Sequence, residues 1–308
     1  MKIFLCEYIH PEARAMLAQR AEIIDDWARI GEADGILNRN LNIDRALIGR
    51  CPRLKVIGIH GTGTDGVDLA AAREQGICVV NTPGQNAGAV AELIVLLTLE
   101  LARKAYLADR AIHAGAPYPT GAAQLRGTEL CGKTLGLIGC GDIALRAAKI
   151  FRQGFGMRII GWSRSLTAEK AAALGVERCE TICEVFAKAD VVNVGLALNS
   201  ETRGIIGARE LAAARPGCLL INTARGALID EPALYAALKN GPLGAAACDV
   251  LMHEPPTAED PLTALPNFLA TPHIGANTEE ALRRVGCMTV QQMLDVLDGK
   301  AAQNCCIY

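Results

Sequence analysis

Short apolar, β-rich runs alternate with Ala- and Leu-rich stretches along most of this chain of 308 residues. This alternation is typical of a parallel sheet, because a parallel strand needs a helical crossover before the next strand begins. The pattern therefore predicts an α/β protein with parallel sheets. The chain is too long for one ordinary hydrophobic core and suits two domains of roughly 100–200 residues each.

The pattern contains two series of strands. In the first series, strands are predicted over Lys2–Cys6, Ala21–Asp25, Gly35–Leu37, Lys55–Ile59 and Ile77–Val80. The helices between them are predicted over Pro11–Arg20, Asp44–Gly49 and Asp68–Gln75. Five such strands fit a flavodoxin-like layer.

The second series follows a helix predicted over Ala87–Ala114 and an irregular, Gly- and Pro-rich segment at 115–127. Its strands are predicted over Thr134–Ile138, Arg158–Trp162, Val191–Leu196, Cys218–Asn222, Gly244–Asp249 and Phe268–Ala270. Six strands of this kind are typical of a Rossmann domain. The last predicted helix, Glu279–Leu297, is long enough to return to the first domain. We therefore expect a discontinuous, flavodoxin-like domain of residues 1–99 and 285–308, and a Rossmann domain of residues 100–284.

Composition and charge exclude several classes of protein. The net charge is −2 and the Lys and Arg residues are scattered, so no basic face for nucleic acid or an anionic membrane is expected. No apolar run approaches the roughly 20 residues of a membrane span, and no signal-peptide core opens the chain, so we expect a cytoplasmic protein. The twelve cysteines form no Cys-x-x-Cys pair. We therefore expect neither a disulfide framework nor a metal site.

Gly139, Cys140 and Gly141 open a Gly-x-Gly-x-x-Ala motif that follows an apolar strand and precedes a helix. Gly139 permits a tight turn, Gly141 lets the backbone approach a pyrophosphate, and Ala144 is small enough for close packing of helix on strand. The helix N-terminus supplies amide donors and a positive dipole to phosphates. In this strand-turn-helix context the motif predicts a dinucleotide site.

The strand after this helix ends in Ser163, Arg164 and Ser165, with no carboxylate to bind a ribose 2′-hydroxyl. A guanidinium pairs well with a 2′-phosphate. The sequence therefore favours NADP(H) over NAD(H). A solvated Arg164 that only stacks on adenine remains the alternative.

Three segments, at 221–226, 249–255 and 271–276, carry Arg225, Glu254 and His273 next to predicted strand ends. Because ligands of open α/β sheets bind beyond the carboxyl ends of the strands, these segments are candidates for one crevice. Taken singly, each residue has a structural explanation: Arg225 could cap a strand, Glu254 could belong to a turn, and His273 could be a loop histidine.

Together with the dinucleotide turn, these segments resemble the D-isomer-specific 2-hydroxyacid dehydrogenases. That family includes phosphoglycerate dehydrogenase and the glyoxylate/hydroxypyruvate reductases. The first half of the chain is similar at 61–69, 76–84 and 90–93, so the resemblance covers nearly the whole chain. It implies an oxidoreductase that moves a hydride between NAD(P)(H) and a small 2-oxo or 2-hydroxy acid, with the discontinuous domain binding the substrate.

Position by position, the resemblance gives the catalytic roles of the family to Arg225, Glu254 and His273. Histidine titrates near neutrality and serves proton transfer in both directions. A carboxylate at Glu254 would favour the imidazolium of His273, and the fork of Arg225 would hold the substrate carboxylate and polarise its carbonyl.

The resemblance also implies the binding residues. Besides Arg225, substrate contacts are expected from His60, Gly61, Thr62 and Gly63, chiefly through the Thr62 and Gly63 amides. Dinucleotide contacts are expected from Thr82, Gly139, Cys140, Gly141, Asp142, Ile143, Ser163, Arg164, Ser165, Leu196, Thr223, Ala224, Asp249, Gly275 and Ala276. The helix at 87–114 and the arm at 115–127 resemble the family's dimerisation region, which implies a homodimer.

The chain departs from the family pattern in three respects. Ile59 stands where phosphoglycerate dehydrogenases often have an Arg, and little sequence follows the last helix to form a regulatory domain; both points argue against 3-phosphoglycerate as substrate. Gly195 and Ala197 replace a His and a Pro of many relatives, which predicts a looser segment near the cofactor ribose. Two alternatives stay open: an NAD-dependent dehydrogenase of a larger D-2-hydroxy acid, and a non-catalytic dinucleotide-sensing protein.

Overall fold

The computed structural model describes residues 1–257 and 259–306, which form two compact units. Unit 1 joins Met1–Ala89 to the segment that begins at Ala276, and unit 2 is Val90–Gly275. The described strands of each unit pair in parallel within one sheet. The α/β class, the parallel sheets and the discontinuity of the first domain are thereby confirmed.

The strands are β1 (Lys2–Leu5), β2 (Glu22–Ile24), β3 (Gly35–Asn38), β4 (Val56–Ile59), β5 (Cys78–Val80), β6 (Thr134–Ile138), β7 (Arg158–Trp162), β8 (Glu177–Arg178), β9 (Val191–Val194), β10 (Cys218–Asn222), β11 (Leu243–Cys248) and β12 (Phe268–Ala270). The helices are α1 (Pro11–Ala18), α2 (Arg45–Gly49), α3 (Leu69–Glu74), α4 (Ala87–Arg103), α5 (Ala105–His113), α6 (Asp142–Phe155), α7 (Ala168–Leu174), α8 (Ile182–Lys188), α9 (Ala208–Ala212), α10 (Glu231–Lys239) and α11 (Glu279–Leu297). None of these described helices is long and apolar enough to cross a membrane.

Both unit boundaries lie earlier in the chain than expected: the first falls after Ala89 and not after residue 99, and the second falls after Gly275 and not after residue 284. The helix α4 begins at Ala87, but Val90 and the apolar residues that follow it belong to a hydrophobic core of unit 2. At the other boundary, α11 lies wholly within unit 1, where Val290 and Met293 join the core. The packing of each helix, rather than its length, therefore sets where the chain passes from one unit to the other.

The sheet of unit 1 has the order β2-β1-β3-β4-β5. This is the flavodoxin-type order, in which the direction of winding reverses between the first and third strands. Every residue of β3 and β4 is buried, as expected for parallel strands covered on both faces. Asp44, Asp68 and Thr278 cap α2, α3 and α11, because each side chain accepts a hydrogen bond from a first-turn amide.

The sheet of unit 2 has the order β12-β11-β10-β9-β6-β7-β8, a doubly wound sheet whose direction reverses between β6 and β9. It has seven described strands where the sequence predicted six. The added strand, β8, is two exposed residues long and carries no apolar run that would reveal it.

The helix expected over Ala87–Ala114 is interrupted. Lys104 adopts a left-handed conformation with φ of 56°, so α4 ends at Arg103 and α5 begins at Ala105. Lysine is a good helix former, and nothing in the local sequence predicts this break. The segment at 115–127 is irregular, as predicted, apart from a 3₁₀ turn at Ala123–Leu125.

Candidate active site

The turn after β6 lies at the point where the strand order of unit 2 reverses. Gly139 has a φ of 96°, and a Cβ atom placed on it would lie 2.5 Å from the Gly195 carbonyl oxygen. The loops that follow β6 and β9 therefore pack backbone against backbone, which only glycine permits here. This is where open α/β sheets bind dinucleotides.

Gly141 is the N-cap of α6 and has no side chain with which to cap the first-turn amides. Apart from the adjacent residues of the chain, no atom of the described residues lies within 4 Å of a Cβ built on Gly141, so the space in front of the helix is open. Asp142 in the first turn pairs with Arg146, with 2.9 Å between Oδ1 and Nε. Open amides, the helix dipole and room beside Gly141 fit the pyrophosphate of a dinucleotide. Cys140 and Ile143 flank this position, and burial raises the pKa of the Cys140 thiol to about 11.

Arg164, in the loop after β7, forms an ion pair with Glu201. Both side chains are more than 60% exposed, so the pair lies in solvent. Ser163 and Ser165 face each other at 3.4 Å between their Oγ atoms. Glu201 is not among the residues predicted from the sequence, because it lies 37 positions from Arg164 and no local signal indicates the contact.

The segment after β9 is held by a turn rather than by a proline. The buried Thr202 donates its hydroxyl to the Ala197 carbonyl at 2.7 Å and accepts the Asn199 amide at 2.8 Å. Leu196 packs against the core on the same side of the sheet as Ile138. Within the described residues, both amide atoms of the buried Asn193 lack a hydrogen-bond partner. Buried side-chain amides are normally hydrogen-bonded, so Asn193 is a polar exception in the otherwise apolar strand β9, close to the glycine turns.

His273 and Glu254 form a hydrogen-bonded pair in unit 2, with 2.8 Å between Nδ1 and Oε2. Each side chain is about one third exposed, at 35% and 36%. The other carboxylate oxygen of Glu254 accepts the Leu251 amide at 3.1 Å. Burial raises the pKa of Glu254, but His273, the Leu251 amide and the charge of Arg225 together outweigh burial and hold that pKa below its ordinary value. The carboxylate is therefore charged beside the imidazole.

Asp249, directly after β11, fixes the loop that carries His273. Its Oδ1 accepts the Thr271 hydroxyl at 2.6 Å and the Ile274 amide at 2.8 Å, and its Oδ2 accepts the Gly275 amide at 2.8 Å. The His273 amide donates to the Asp249 carbonyl at 2.8 Å. His273 has a left-handed φ of 53°. The buried carboxylate thus stabilises an unusual backbone conformation that aims the imidazole.

Arg225 follows β10 in a turn built on Asn222, whose side-chain amide donates to the Arg225 carbonyl at 2.9 Å and accepts the Ala224 amide at 3.0 Å. The next residue, Gly226, packs directly on the segment before Glu254, since a Cβ on Gly226 would lie 2.1 Å from the Leu251 carbonyl carbon. The structure therefore brings Arg225, Glu254 and His273 onto adjoining loops at the carboxyl edge of one sheet. Thr223 lies in the same turn.

In unit 1, the loop Gly61–Gly63 after β4 is held by residues that follow β5. The buried Thr82 donates to the Gly61 carbonyl from both its amide, at 2.8 Å, and its hydroxyl, at 3.0 Å. The Asn81 side chain donates to the Thr62 carbonyl at 2.8 Å. Asn81 is not among the residues predicted from the sequence, because its role depends on the pairing of β4 with β5 and not on any motif. Ala276 begins the second segment of this unit.

The side chain of His60 faces α11 in the interior of unit 1. The residue is 6% exposed, and a Cβ built on Gly286 would lie 3.5 Å from its Nε2 atom. Burial, reinforced by the charge of Arg39, lowers the pKa of His60 to about 4. A neutral, buried imidazole is poorly suited to the substrate contact that the sequence predicted for it.

Comparison with known families gives a match to the model for the NAD binding domain of D-isomer specific 2-hydroxyacid dehydrogenases over residues 95–275. This range contains the glycine turn of α6 and the loops that carry Arg225, Glu254 and His273.

Curated relatives include a D-3-phosphoglycerate dehydrogenase of Methanocaldococcus jannaschii, 38% identical over 99% of this chain. This chain spans only 59% of the length of that protein. An (S)-sulfolactate dehydrogenase of Chromohalobacter salexigens is 38% identical, with 91% of each chain covered. A glyoxylate reductase of Aeropyrum pernix is 34% identical and covers 98% of this chain and 95% of its own.

Among solved structures, a Thermus thermophilus protein matches with a TM-score of 0.90 and 33% identity, covering 100% of both chains. An NADPH-dependent glyoxylate/hydroxypyruvate reductase of Sinorhizobium meliloti, in complex with NADP and malonate, matches with a TM-score of 0.86 and 26% identity. It covers 99% of this chain and 96% of its own.

Proposed function

This chain belongs to the D-isomer specific 2-hydroxyacid dehydrogenase family, as its sequence predicted, and from that premise we propose that it interconverts a small 2-oxo acid and its 2-hydroxy acid with a nicotinamide dinucleotide. The observation that carries the proposal is the His273–Glu254 pair, 2.8 Å between Nδ1 and Oε2, with Arg225 on the adjoining turn. An acid–base group, its orienting carboxylate and an anion-binding fork are the parts that this chemistry requires.

When bound, the dinucleotide supplies or accepts the hydride. In the reductive direction, we propose that His273 gives a proton to the carbonyl oxygen of the substrate. Since its Nδ1 is engaged by Glu254, the proton would leave from Nε2. Glu254 favours the imidazolium by its negative charge and fixes the ring orientation.

In unit 2, the substrate carboxylate is assigned to Arg225. In unit 1, the Thr62 and Gly63 amides keep the substrate-binding role that the resemblance implies, and Thr82 and Asn81 support the loop Gly61–Gly63 by engaging its carbonyl oxygens. The role that the sequence gave to His60 is not retained in the proposal, since its imidazole is buried and neutral.

A short substrate such as glyoxylate or hydroxypyruvate is favoured over 3-phosphoglycerate. Ile59, at the position where an anion-binding Arg often stands, is 3% exposed and belongs to the core of unit 1. A relative named as a glyoxylate reductase, 34% identical over 98% of this chain, is consistent with a short substrate. A larger D-2-hydroxy acid and a non-catalytic, dinucleotide-sensing role remain the alternatives.

Replacing the proton donor tests the proposal. We expect His273→Asn to lower kcat by about 10²–10⁴-fold with glyoxylate or hydroxypyruvate, while the Kd for the dinucleotide stays unchanged. The matched control is His113→Asn, since His113 is an exposed histidine of the same unit, and it should leave kcat unchanged. If His273→Asn retains wild-type turnover, or if no short 2-oxo acid is reduced by the wild-type protein, the proposal fails.

We propose NADP(H) as the preferred dinucleotide, because Arg164 follows β7 where an NAD-selective strand would carry an acid. The Sinorhizobium meliloti neighbour, whose structure holds NADP, supports this choice. Glu201 opposes it: a 2′-phosphate would compete with this carboxylate for the Arg164 guanidinium.

The ratio of kcat/KM for NADPH to that for NADH tests the cofactor proposal. We expect this ratio to exceed one in the wild-type protein, to fall about tenfold in Arg164→Ala and to rise several-fold in Glu201→Gln, which frees the guanidinium of its partner. A wild-type protein that uses NADH many-fold better than NADPH would contradict the proposal.

A homodimer and a cytoplasmic location complete the proposal. The region that resembles the family's dimerisation region exposes three large apolar side chains: Leu96, Ile112 and Tyr118 are 53%, 64% and 39% exposed. Light scattering on the purified protein should give about twice the chain mass of 32.6 kDa. A mass equal to one chain would reject the dimer.

A further inference from the structure

Two cysteines far apart in the sequence meet at the edge of the sheet in unit 1. The Sγ atoms of Cys78 and Cys305 lie 2.9 Å apart in a thiol–thiol hydrogen bond, although 227 positions separate the residues. Both side chains are partly buried, and both residues are thiols in the structure. Neither has a role in the proposed reaction.

The register of the backbone explains why these thiols meet. The segment Asn304–Cys306 runs antiparallel to β5, with a bridge between Val80 and Cys305 and a hydrogen bond of 2.7 Å from the Cys306 amide to the Val79 carbonyl. Side chains alternate along a strand, so Cys78 and Cys305 share one face of this pairing while Cys306 lies on the other. The cores agree with this alternation: Cys78 packs with one cluster of unit 1 and Cys306 with the other.

The same segment is connected to the loop assigned to the substrate. The Asn81 amide donates to the Asn304 carbonyl at 3.3 Å, and the Asn304 amide donates to Gln292 Oε1 at 2.8 Å. Gln292 in turn donates to the Asn81 carbonyl at 2.9 Å, and the Asn81 side chain holds the Thr62 carbonyl at 2.8 Å. A constraint at Cys305 therefore reaches Thr62 through two residues, the adjacent Asn304 and then Asn81.

We propose that Cys78 and Cys305 are an oxidisable pair that forms a reversible disulfide, which ties the segment 304–306 to β5 and stiffens the loop Gly61–Gly63. This is one switchable bond, not the disulfide framework that the composition excludes, and such bonds occur in compartments that keep most thiols reduced. This disulfide is inferred from the geometry of unit 1 and does not depend on the proposed reaction.

The oxidant is a peroxide. Burial, and then the hydrogen bond with Cys305, raises the pKa of Cys78 to about 12, so Cys78 keeps its proton at neutral pH and the first step is assigned to Cys305. The Cys305 sulfur attacks one peroxide oxygen, the O–O bond breaks, and the Cys305 proton leaves with the displaced oxygen as water or alcohol, which gives a sulfenic acid at Cys305. The Cys78 sulfur then displaces the sulfenic oxygen, which leaves with the Cys78 proton as water. Two thiols are oxidised and one peroxide is reduced.

The test is to treat the full-length protein with a small excess of hydrogen peroxide and digest it without reduction. We expect a peptide that links Cys78 to Cys305, a rise in Tm of about 5–10 °C because the bond closes a long loop, and reversal of both by a thiol reductant. Hydrogen exchange at the amides of residues 61–63 should slow by at least about threefold in the oxidised protein.

Cys78→Ser and Cys305→Ser should each abolish the linked peptide and the rise in Tm. The matched control is Cys306→Ser, which should retain both, since Cys306 lies on the opposite face of the pairing. A link between Cys305 and Cys306 only, or over-oxidation of Cys305 with no link, would overturn the assignment of the pair. Linkage without slower exchange at residues 61–63 would overturn the effect on the loop. All these readouts are independent of turnover, so their failure is distinct from failure of the proposed function.

Discussion

The two units contain parallel sheets of the same type, but they differ at the point where the winding direction of each sheet reverses. In each sheet the winding direction reverses between two strands, β6 and β9 in unit 2 and β1 and β3 in unit 1. In unit 2 this position is lined by glycines and by the uncapped N-terminus of α6. In unit 1 it is filled by Glu7, whose carboxylate accepts the amides of Arg39, at 3.1 Å, and Asn40, at 2.6 Å.

Strand order therefore provides a place for a ligand, while the side chains decide whether a ligand can occupy it. A reversal point of a parallel sheet is a natural crevice. Glu7 uses the amides at the crevice of unit 1 as internal hydrogen-bond donors, so they no longer attract an external anion. The glycines at the crevice of unit 2 leave the corresponding amides to a bound phosphate.

The largest effect is expected from closing the open crevice. Gly141→Ala should raise the Kd for the dinucleotide by about 10²–10³-fold, because a methyl group would occupy the space through which the pyrophosphate approaches the backbone. Its Tm should stay within about 1 °C of wild type, since the added carbon would meet no atom within 4 Å among the described residues other than its chain neighbours. Fluorescence titration and thermal unfolding measure the two quantities.

Gly139→Ala is the companion variant. Here the added carbon would lie 2.5 Å from the Gly195 carbonyl oxygen, so both binding and Tm should fall. If the two variants change Kd and Tm to the same extent, Gly141 does not serve mainly ligand access, nor Gly139 also packing, and this assignment of roles is wrong.

The protonation of His60 in the interior of unit 1 is expected to lower the free energy of unfolding by about 3 kcal/mol at low pH. Burial and Arg39 lower the pKa of His60 from 6.5 to about 4 in the folded protein, so the unfolded chain binds a proton first as the pH falls. The contribution of His60 to stability is therefore complete above about pH 6.5 and is lost as the pH falls toward 4. The loss in the free energy of unfolding is about 3 kcal/mol because each tenfold change in proton affinity is worth about 1.4 kcal/mol.

Urea unfolding at pH 7.5 and pH 4.5 checks the effect of His60. The wild-type protein should lose more stability between the two pH values than His60→Gln, which cannot titrate. Identical losses in the two proteins would mean that the imidazole is not shielded from the proton in the folded state.

The smallest effect, about 1 kcal/mol, is expected from the filled crevice of unit 1. Glu7→Gln weakens charge-assisted hydrogen bonds to the Arg39 and Asn40 amides and should lower the free energy of unfolding by that amount. Glu74→Gln removes an exposed acid of the same unit that pairs with Arg45 and should have an effect below about 0.5 kcal/mol. Dinucleotide binding should be unchanged in both, and a change in Glu7→Gln would contradict the contrast between the crevices.

The fold could be predicted from the sequence largely because its strands are buried on both faces. Strands such as β4 and β10 are buried at every position and therefore appear as continuous apolar runs. The two-residue β8 has no such run and was missed. The break at Lys104 was missed as well, because it depends on a backbone conformation that lysine rarely adopts.

The candidate site shows a similar division. Arg225, Glu254 and His273 could be named from motifs, because each motif carries its residue within a few positions of a strand end. The residues that support them could not be named in this way. Asn222 and Asn81 act through hydrogen bonds to neighbouring backbone, and Glu201 reaches Arg164 from 37 positions away. Such contacts exist only once the strands have been placed side by side.

The path of the chain through unit 1 has a consequence for its synthesis. The core of this unit combines Ile3, Leu37 and Val56 from the first segment with Val290 and Met293 from α11. Unit 2 is continuous in sequence, so its strands leave the ribosome in one uninterrupted stretch. The first segment of unit 1, which precedes unit 2 in the chain, must wait with part of its apolar surface uncovered until residues 90–275 and then α11 have followed it. Unit 1 can therefore complete its fold only after the whole of unit 2 has been translated, and its first segment needs protection from aggregation during that interval.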